Sequence, residues 1–112
     1  MSYNGGFKMI IATTENIPER KVKEILGVVR GNTIQSRHVG RDIMAGLKTI
    51  IGGEIKSYTE MISRAREEAI SRMTAEAEKL GADAILMVRF TTSSVMPQAA
   101  EVLAYGTAVK LE

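Results

Sequence analysis

The chain has 112 residues and a formal net charge of +2. That length suffices for one domain with a modest core, and so small a charge gives no support for a nucleic-acid partner. Cysteine is absent, which excludes a disulfide framework, a thiol nucleophile and a thiolate metal site. No apolar run reaches the ~18 residues of a membrane span, and no signal peptide precedes the domain. We therefore expect a cytoplasmic protein with no membrane partner.

The beginning of the chain predicts a loose end followed by a short strand. Residues 1–8 are polar and glycine-containing, so we assign them to a flexible N-terminus and the single domain to residues 9–112. Met9–Thr13 is a short apolar run with β-branched residues and predicts the first strand. Polar residues and Pro18 then predict a turn.

The segment Val22–Ile34 predicts a second strand. Gly27 and Gly31 within it indicate a bulge or a close neighbour. Regular alternation would divide its apolar residues between two faces, with Ile25 and Val29 on one and Leu26 and Val28 on the other.

Two helices are predicted next. Val39–Ile51 has apolar residues at helical spacing and predicts a shorter helix, which Gly52-Gly53 separates from a long one. The long helix is predicted from Gly53 to Gly81, with Gly81 as its C-cap. Its predicted buried face is Ile55, Tyr58, Ile62, Ala65, Ala69, Met73, Ala77 and Leu80. The alanines indicate a close approach to a sheet, and we interpret the opposite, charged face as a solvated surface.

The last third of the chain predicts two more strands. Ala84–Thr92 is the third, Ser93–Gln98 a turn, and Glu101–Leu111 the last. In the third strand, alternation predicts one face with Ala84, Leu86, Val88 and Phe90, and another with Ile85 and Met87. In the last, it predicts one face with Leu103, Tyr105, Val109 and Leu111, and another with Val102, Ala104 and Ala108. The expected fold is an α+β two-layer sandwich, a small, mainly antiparallel sheet with one long and one shorter helix.

Both faces of the predicted sheet are apolar, whereas a half-buried antiparallel sheet alternates apolar with polar residues. Self-association into a homo-oligomer would cover the second face or a sheet edge. The alternative is a monomer in which the shorter helix covers the remainder.

A family resemblance rests on four segments: TTENIP at Thr13–Pro18, LGVVRGNTIQSRHVGRDIMAGLKTIIGGEI at Leu26–Ile55, YTEMISRAREEAISRM at Tyr58–Met73 and EVLAYGTAV at Glu101–Val109. They resemble the YbjQ-like proteins, a family of unknown function that is also described as a heavy-metal-binding domain. The resemblance implies a two-layer, dodecin-subunit-like fold and a ring-shaped homo-pentamer. This chain departs from the family at Glu19-Arg20, where a Pro-Gly turn is common, and at Thr92, where an acidic residue often lies.

A heavy-metal site is weakly supported by the residue types. His38 is the only histidine, and a closed zinc site requires about four ligands of the Cys/His kind. A ring could bring copies of His38 together, but an exposed loop histidine is the simpler interpretation. Most methionines are expected in the core. Met96 is the only methionine that we retain as a candidate soft-metal ligand.

An anion site is the better candidate. The proposed ligand-binding residues are Arg30, Ser36, Arg37, Arg41 and Arg89. The start of the shorter helix would add free backbone N–H groups, and the guanidiniums of Arg30 and Arg89 could converge if their strands are neighbours. In the alternative, these arginines pair with carboxylates of the long helix or of another subunit.

No catalytic set is predicted. A Ser–His–acid set would have to use the single histidine, and no serine lies in a nucleophile-elbow pattern. Glycine spacing does not match a nucleotide-binding fingerprint. We therefore expect a non-enzymatic homo-oligomeric module that binds a small anion between subunits, with a metal-binding protein as the alternative and no cofactor assigned.

Overall fold

A four-stranded mixed sheet and one long helix make up the part of the chain that the structure describes, which is residues 8–36, 51–96 and 99–112 of a computed structural model. The elements are β1 (Ile10–Ile11), β2 (Val22–Ser36), α1 (Ile51–Lys79), β3 (Ala84–Met96) and β4 (Ala99–Leu111). The strands lie in the order β1-β3-β4-β2. β4 is antiparallel to both of its neighbours, and β1 runs parallel to β3. The predicted α+β class with a mainly antiparallel sheet is confirmed.

The β3–β4 connection is shorter than the predicted turn over Ser93–Gln98. Ser93 and Ser94 belong to β3 and are in register with Glu101 and Ala100 of β4. Serine has low strand propensity, but the ladder to β4 supplies hydrogen-bond partners for its backbone, so tertiary pairing outweighs propensity. The prediction of a turn beginning at Ser93 is therefore wrong.

The long helix begins earlier than predicted, because α1 includes Gly52 and Gly53. A glycine lowers helix stability by about 1 kcal/mol relative to alanine but readily adopts helical backbone angles. The helix boundary predicted at this glycine pair is therefore wrong. The shorter helix predicted over Val39–Ile51 lies outside the described residues, apart from Ile51.

The predicted glycine cap ends the helix. Gly81 has a φ of 77°, in the left-handed region. Its N–H donates to the carbonyl of Glu78 at 3.0 Å, and the N–H of Ala82 donates to the carbonyl of Ala77 at 3.1 Å. These two bonds form a Schellman motif, which leads the chain directly from the helix into β3.

α1 crosses the sheet closely, above β2. A Cβ atom on Gly31 would overlap the backbone oxygen of Ala69 and the backbone nitrogen of Met73. Three of the five described buried positions of the helix are alanines, whose small side chains permit this approach. The buried stripe of α1 is Met61, Ala65, Ala69, Met73 and Ala77, so the predicted close approach to a sheet is confirmed.

The prediction of the buried helical stripe is wrong towards both of its ends. Tyr58 is 42% exposed and Leu80 is 46% exposed. Met61 lies in the core instead, because the buried side chains follow a strict four-residue step along the helix.

Two bulges set which strand residues face the helix. In β2 the register shifts between Ile25 and Gly27, where Gly27 has a φ of 138°. In β3 it shifts between Leu86 and Arg89, around Met87 with a φ of 55°. Each extra residue moves the next side chain to the opposite face.

The face assignments predicted by simple alternation therefore fail beyond each bulge. Leu26 and Val29 pack in the same helix-facing core, as do Ile85 and Val88. The predicted division of the apolar residues of β4 is confirmed, because that strand has no bulge opposite the helix.

We call the side of the sheet that packs on α1 the inner face and the opposite side the outer face. Part of the outer face is covered by the N-terminal segment, residues 9–17: its Ile10, Ala12 and Ile17 pack on the outer-face cluster of Ala84, Leu86, Val109 and Leu111. The rest is open: Val28 is 64% exposed, Ile34 60% and Tyr105 37%. Over the described part of the chain, no helix combines the length and apolarity of a membrane span.

A strained turn leads the N-terminal segment into β2. The N–H of Arg20 donates to the carbonyl of Ile17 at 3.1 Å. Pro18 fixes a negative φ at the second position, and Glu19 at the third has a φ of 66°. This combination defines a type II turn, whose third position favours glycine.

Candidate anion site

Two arginines lie in one row across the outer face. Arg30 of β2 is in register with Tyr105 of β4, and Arg89 of β3 is in register with the same tyrosine from the other side. We call Arg30, Tyr105 and Arg89 the arginine row. The strands of the two arginines are not direct neighbours, so their Cα atoms are separated by two strand spacings, about 10 Å.

Arg89 is held in place by the main chain. Its Nη1 donates to the carbonyl oxygen of Thr13 at 3.0 Å and to that of Val88 at 2.9 Å. Both hydrogens of that nitrogen are thereby used. Nε and Nη2 form no hydrogen bond with the described residues, so one edge of the guanidinium stays available in a fixed position.

Arg30 has no such restraint. It is exposed, and it forms no hydrogen bond or ion pair with any residue that the structure describes. Along the strand its outer-face neighbours are Val28, Asn32 and Ile34, of which the first and last are open apolar side chains. Among the described residues, Arg30 is therefore a cation without a partner on a largely apolar surface.

An acidic group on this face, Glu101, accepts a hydrogen bond from Asn32. The Nδ2 of Asn32 donates to Oε2 of Glu101 at 3.1 Å. Counted along the outer-face residues of β4, Glu101 lies two positions away from Tyr105. The carboxylate thus accepts from the amide of Asn32 and not from Arg30.

Carboxylates of the long helix are used elsewhere. Glu68 pairs with Arg72 at 3.0 Å and accepts a hydrogen bond from Nε2 of Gln35 at 3.2 Å. Arg72 also donates to the carbonyl of Asn32 at 2.6 Å. Within the described residues, the suggested pairing of Arg30 and Arg89 with helix carboxylates does not occur.

Of the other predicted site residues, the structure describes only Ser36, and it lies outside the arginine row. Ser36 ends β2 in register with Ala99, six residues and about 20 Å along the strand from Arg30. Arg37, His38 and Arg41 lie outside the described residues.

Tyr105 was missed by sequence reasoning. It was assigned only to an apolar strand face, although its phenol lies between the two arginines. No local motif marks it. Only the strand order, with β4 between β2 and β3, identifies it as part of the same row.

The described residues do not fit a heavy-metal site. Within residues 8–36, 51–96 and 99–112, no group of three or more His, Cys, Asp or Glu side chains gathers in a ligating arrangement. Cysteine is absent from the whole sequence, and heavy metals prefer thiolate and imidazole ligands.

Comparison with known proteins identifies relatives across nearly the whole chain. A family model described as "Putative heavy-metal-binding" matches residues 9–112. A UPF0145 protein of Archaeoglobus fulgidus is 64% identical over 104 residues, which covers 93% of this chain and 96% of that protein. A UPF0145 protein of Thermotoga maritima is 62% identical over 104 residues, which covers 93% of this chain and 98% of that protein.

The fold also has a counterpart among solved structures. A crystal structure of a DUF74-family protein of unknown function from Pediococcus pentosaceus superimposes with a TM-score of 0.66 at 19% identity. The match covers 93% of this chain and 98% of that one, and at this identity it shows the fold alone. On the strength of the family match and of its close relatives, the chain belongs to the YbjQ-like, or UPF0145, family.

Proposed function

We propose that this protein is a non-enzymatic homo-oligomeric module, a pentamer by family resemblance, that binds a small anion between subunits. The observation that carries the proposal is Arg30, a guanidinium that has no partner among the described residues and lies in the middle of an open apolar surface. The proposed binding face is the part of the outer face around the arginine row.

The surrounding surface supports self-association. Val28, Ile34 and Tyr105 present apolar groups that nothing in the described chain covers. Covering them with a second copy would remove apolar area from water, at roughly 25 cal/mol for each Å². The same step would also bury Arg30, and an unpaired buried charge is strongly unfavourable.

A bound anion would provide the partner that the buried guanidinium of Arg30 needs. A carboxylate or phosphate against Arg30 would form charge-assisted hydrogen bonds and allow the face to close without leaving a bare guanidinium. Arg89, at the other end of the row, would add a second cation. Binding and assembly are thereby coupled, and an anion that binds the oligomer is expected to tighten it.

The experiment measures both properties together. Sedimentation velocity at micromolar concentration is expected to give an oligomer, and inorganic phosphate or citrate is expected to raise its melting temperature. Arg30→Ala should abolish the ligand-induced rise. Arg64→Ala is the matched control, because Arg64 is an exposed arginine on the charged face of α1 with no partner among the described residues.

Two outcomes would contradict the proposal. A monomer at these concentrations would remove the intersubunit site. An oligomer that no anion stabilises, and in which Arg30→Ala changes only the association constant, would show that Arg30 pairs with a carboxylate of another copy instead.

A further inference from the structure

The two arginines of the row differ in how they are held, and the difference bears on the ligand. Arg89 has Nη1 fixed by the carbonyls of Thr13 and Val88, whereas no described residue bonds the side chain of Arg30. A guanidinium fixed at Nη1 keeps its Nε–H and Nη2–H pointing in one direction. These two donors form the side-on fork that matches the two oxygens of a carboxylate or phosphate.

Pre-organisation makes Arg89 the stronger anion-binding residue of the two. A side chain that is already ordered loses little conformational freedom on binding, whereas a free arginine loses about 0.5–1.5 kcal/mol. Arg89 can therefore bind one anionic group in a defined geometry. The long side chain of Arg30 can adjust its position to contact a second anionic group of the ligand.

An aromatic side chain occupies the position between them. Tyr105 lies between the two arginines in the same row, and Leu103 and Thr107 flank it along β4 on the outer face. The Cα atoms of the arginines are about 10 Å apart. The Arg89 guanidinium is also held by the carbonyl of Thr13, in the segment that bonds β3 on the side away from β4, so an anion on its fork is displaced away from Arg30. An aliphatic or aromatic spacer would lie over the tyrosine ring.

From this arrangement we infer that the ligand class is an elongated dianion, with one carboxylate or phosphate at each end and an apolar middle. Arg89 anchors one end through its Nε and Nη2, Tyr105 supports the spacer, and Arg30 binds the other end. This inference rests on the proposed function, since it specifies the ligand of the same face.

The test is isothermal titration of the intact protein with acetate, succinate, adipate and suberate at constant ionic strength. Adipate or suberate should bind at least about tenfold more tightly than acetate or succinate, because only the longer chains engage both guanidiniums, and each charge-assisted contact contributes that order of affinity.

Lysine variants separate the two roles. Arg89→Lys keeps a charge but loses the fork, so adipate affinity should fall at least about tenfold. Arg30→Lys should retain most of the affinity, because that end needs a charge rather than a fixed geometry. The melting temperature of each variant without ligand checks that the bulge around Met87 is intact, and Arg64→Lys serves as the control.

The outcomes separate this inference from the proposed function. Equal binding of acetate and adipate, lost in Arg30→Ala, would overturn the elongated dianion and leave a simple anion site. Adipate binding that is insensitive to Arg89→Lys would overturn the anchor. If neither phosphate nor any of these carboxylates binds, both the inference and the proposed function are wrong.

Discussion

The inner and outer faces of one sheet have opposite characters. On the inner face, glycine and alanine allow the helix backbone to approach β2 so closely that Gly31 has no room for a side chain. On the outer face, larger apolar residues and arginines remain open. Strands β2, β3 and β4 thus have one closely packed face and one face whose side chains are exposed to possible partners. Substitutions should therefore affect stability on one side and assembly or binding on the other.

The largest loss of stability is expected from a cavity in the inner core. Met73 is fully buried, so Met73→Ala should lower the free energy of unfolding by about 2–5 kcal/mol. Urea denaturation followed by circular dichroism measures it. Met87→Ala is the control, because Met87 is 43% exposed and its truncation should cost less than about 0.5 kcal/mol. Equal losses would mean that the inner core is not the main source of stability.

Adding one methyl group at the helix crossing should have the next largest effect. Gly31→Ala places a Cβ against backbone atoms of Ala69 and Met73, which cannot rotate away. We expect a loss of about 1–3 kcal/mol, measured by the same denaturation. The side chain of the neighbouring Asn32 faces the other way, and Glu101 is its only hydrogen-bond partner among the described residues, so Asn32→Ala, which keeps the backbone carbonyl, should cost under about 1 kcal/mol. A tolerated Gly31→Ala would show that the helix is not seated this closely.

A charge on the outer face should act on assembly instead. Val28→Asp would bury a carboxylate if a second copy covers this face, and it should raise the dissociation constant of the oligomer at least about tenfold. Sedimentation velocity over a dilution series measures this. Leu80→Asp is matched to it, because Leu80 is also an exposed apolar residue but lies past the end of α1. Unchanged association in Val28→Asp would place the interface elsewhere.

The smallest effect is expected at the turn that brings the N-terminal segment across the outer face. Glu19 has a φ of 66°, a conformation that costs a non-glycine residue roughly 1–2 kcal/mol. Glycine relieves that strain but loses about 0.4–1 kcal/mol through the freer unfolded chain. Glu19→Gly should therefore raise the free energy of unfolding by up to about 1 kcal/mol in thermal denaturation. Destabilisation would mean that the carboxylate has a role that the structure does not show.

Much of the fold could be predicted from the sequence, because its signals are local. The alanine stripe of α1 and the cap at Gly81 follow from residue type and spacing alone. The bulge at Gly27 was indicated by the glycine itself. The bulge at Met87 was not, because methionine gives no sign of a positive φ and the register shift depends on pairing with β4.

The candidate site was harder to predict, because it depends on strand order. The sequence singled out Arg30 and Arg89 as related positions, but it did not show that β4 separates them or that Tyr105 fills the gap. The hydrogen bonds that fix Arg89 come from residues 13 and 88, and the first of these is far away in the chain. Ser36 was grouped with Arg30 because the two are close in sequence, although an extended strand carries them apart.

Mapping an anion onto individual residues tests the central claim most directly. Backbone amide chemical shifts of deuterated, ¹⁵N-labelled protein would be followed by NMR while inorganic phosphate is added at constant ionic strength. The account predicts saturable shifts concentrated at Arg30, Tyr105 and Arg89, with the buried α1 residues Ala69 and Met73 unaffected. Shifts confined to the charged face of α1, or no saturable shifts at all, would contradict the assignment of the outer face as the binding surface.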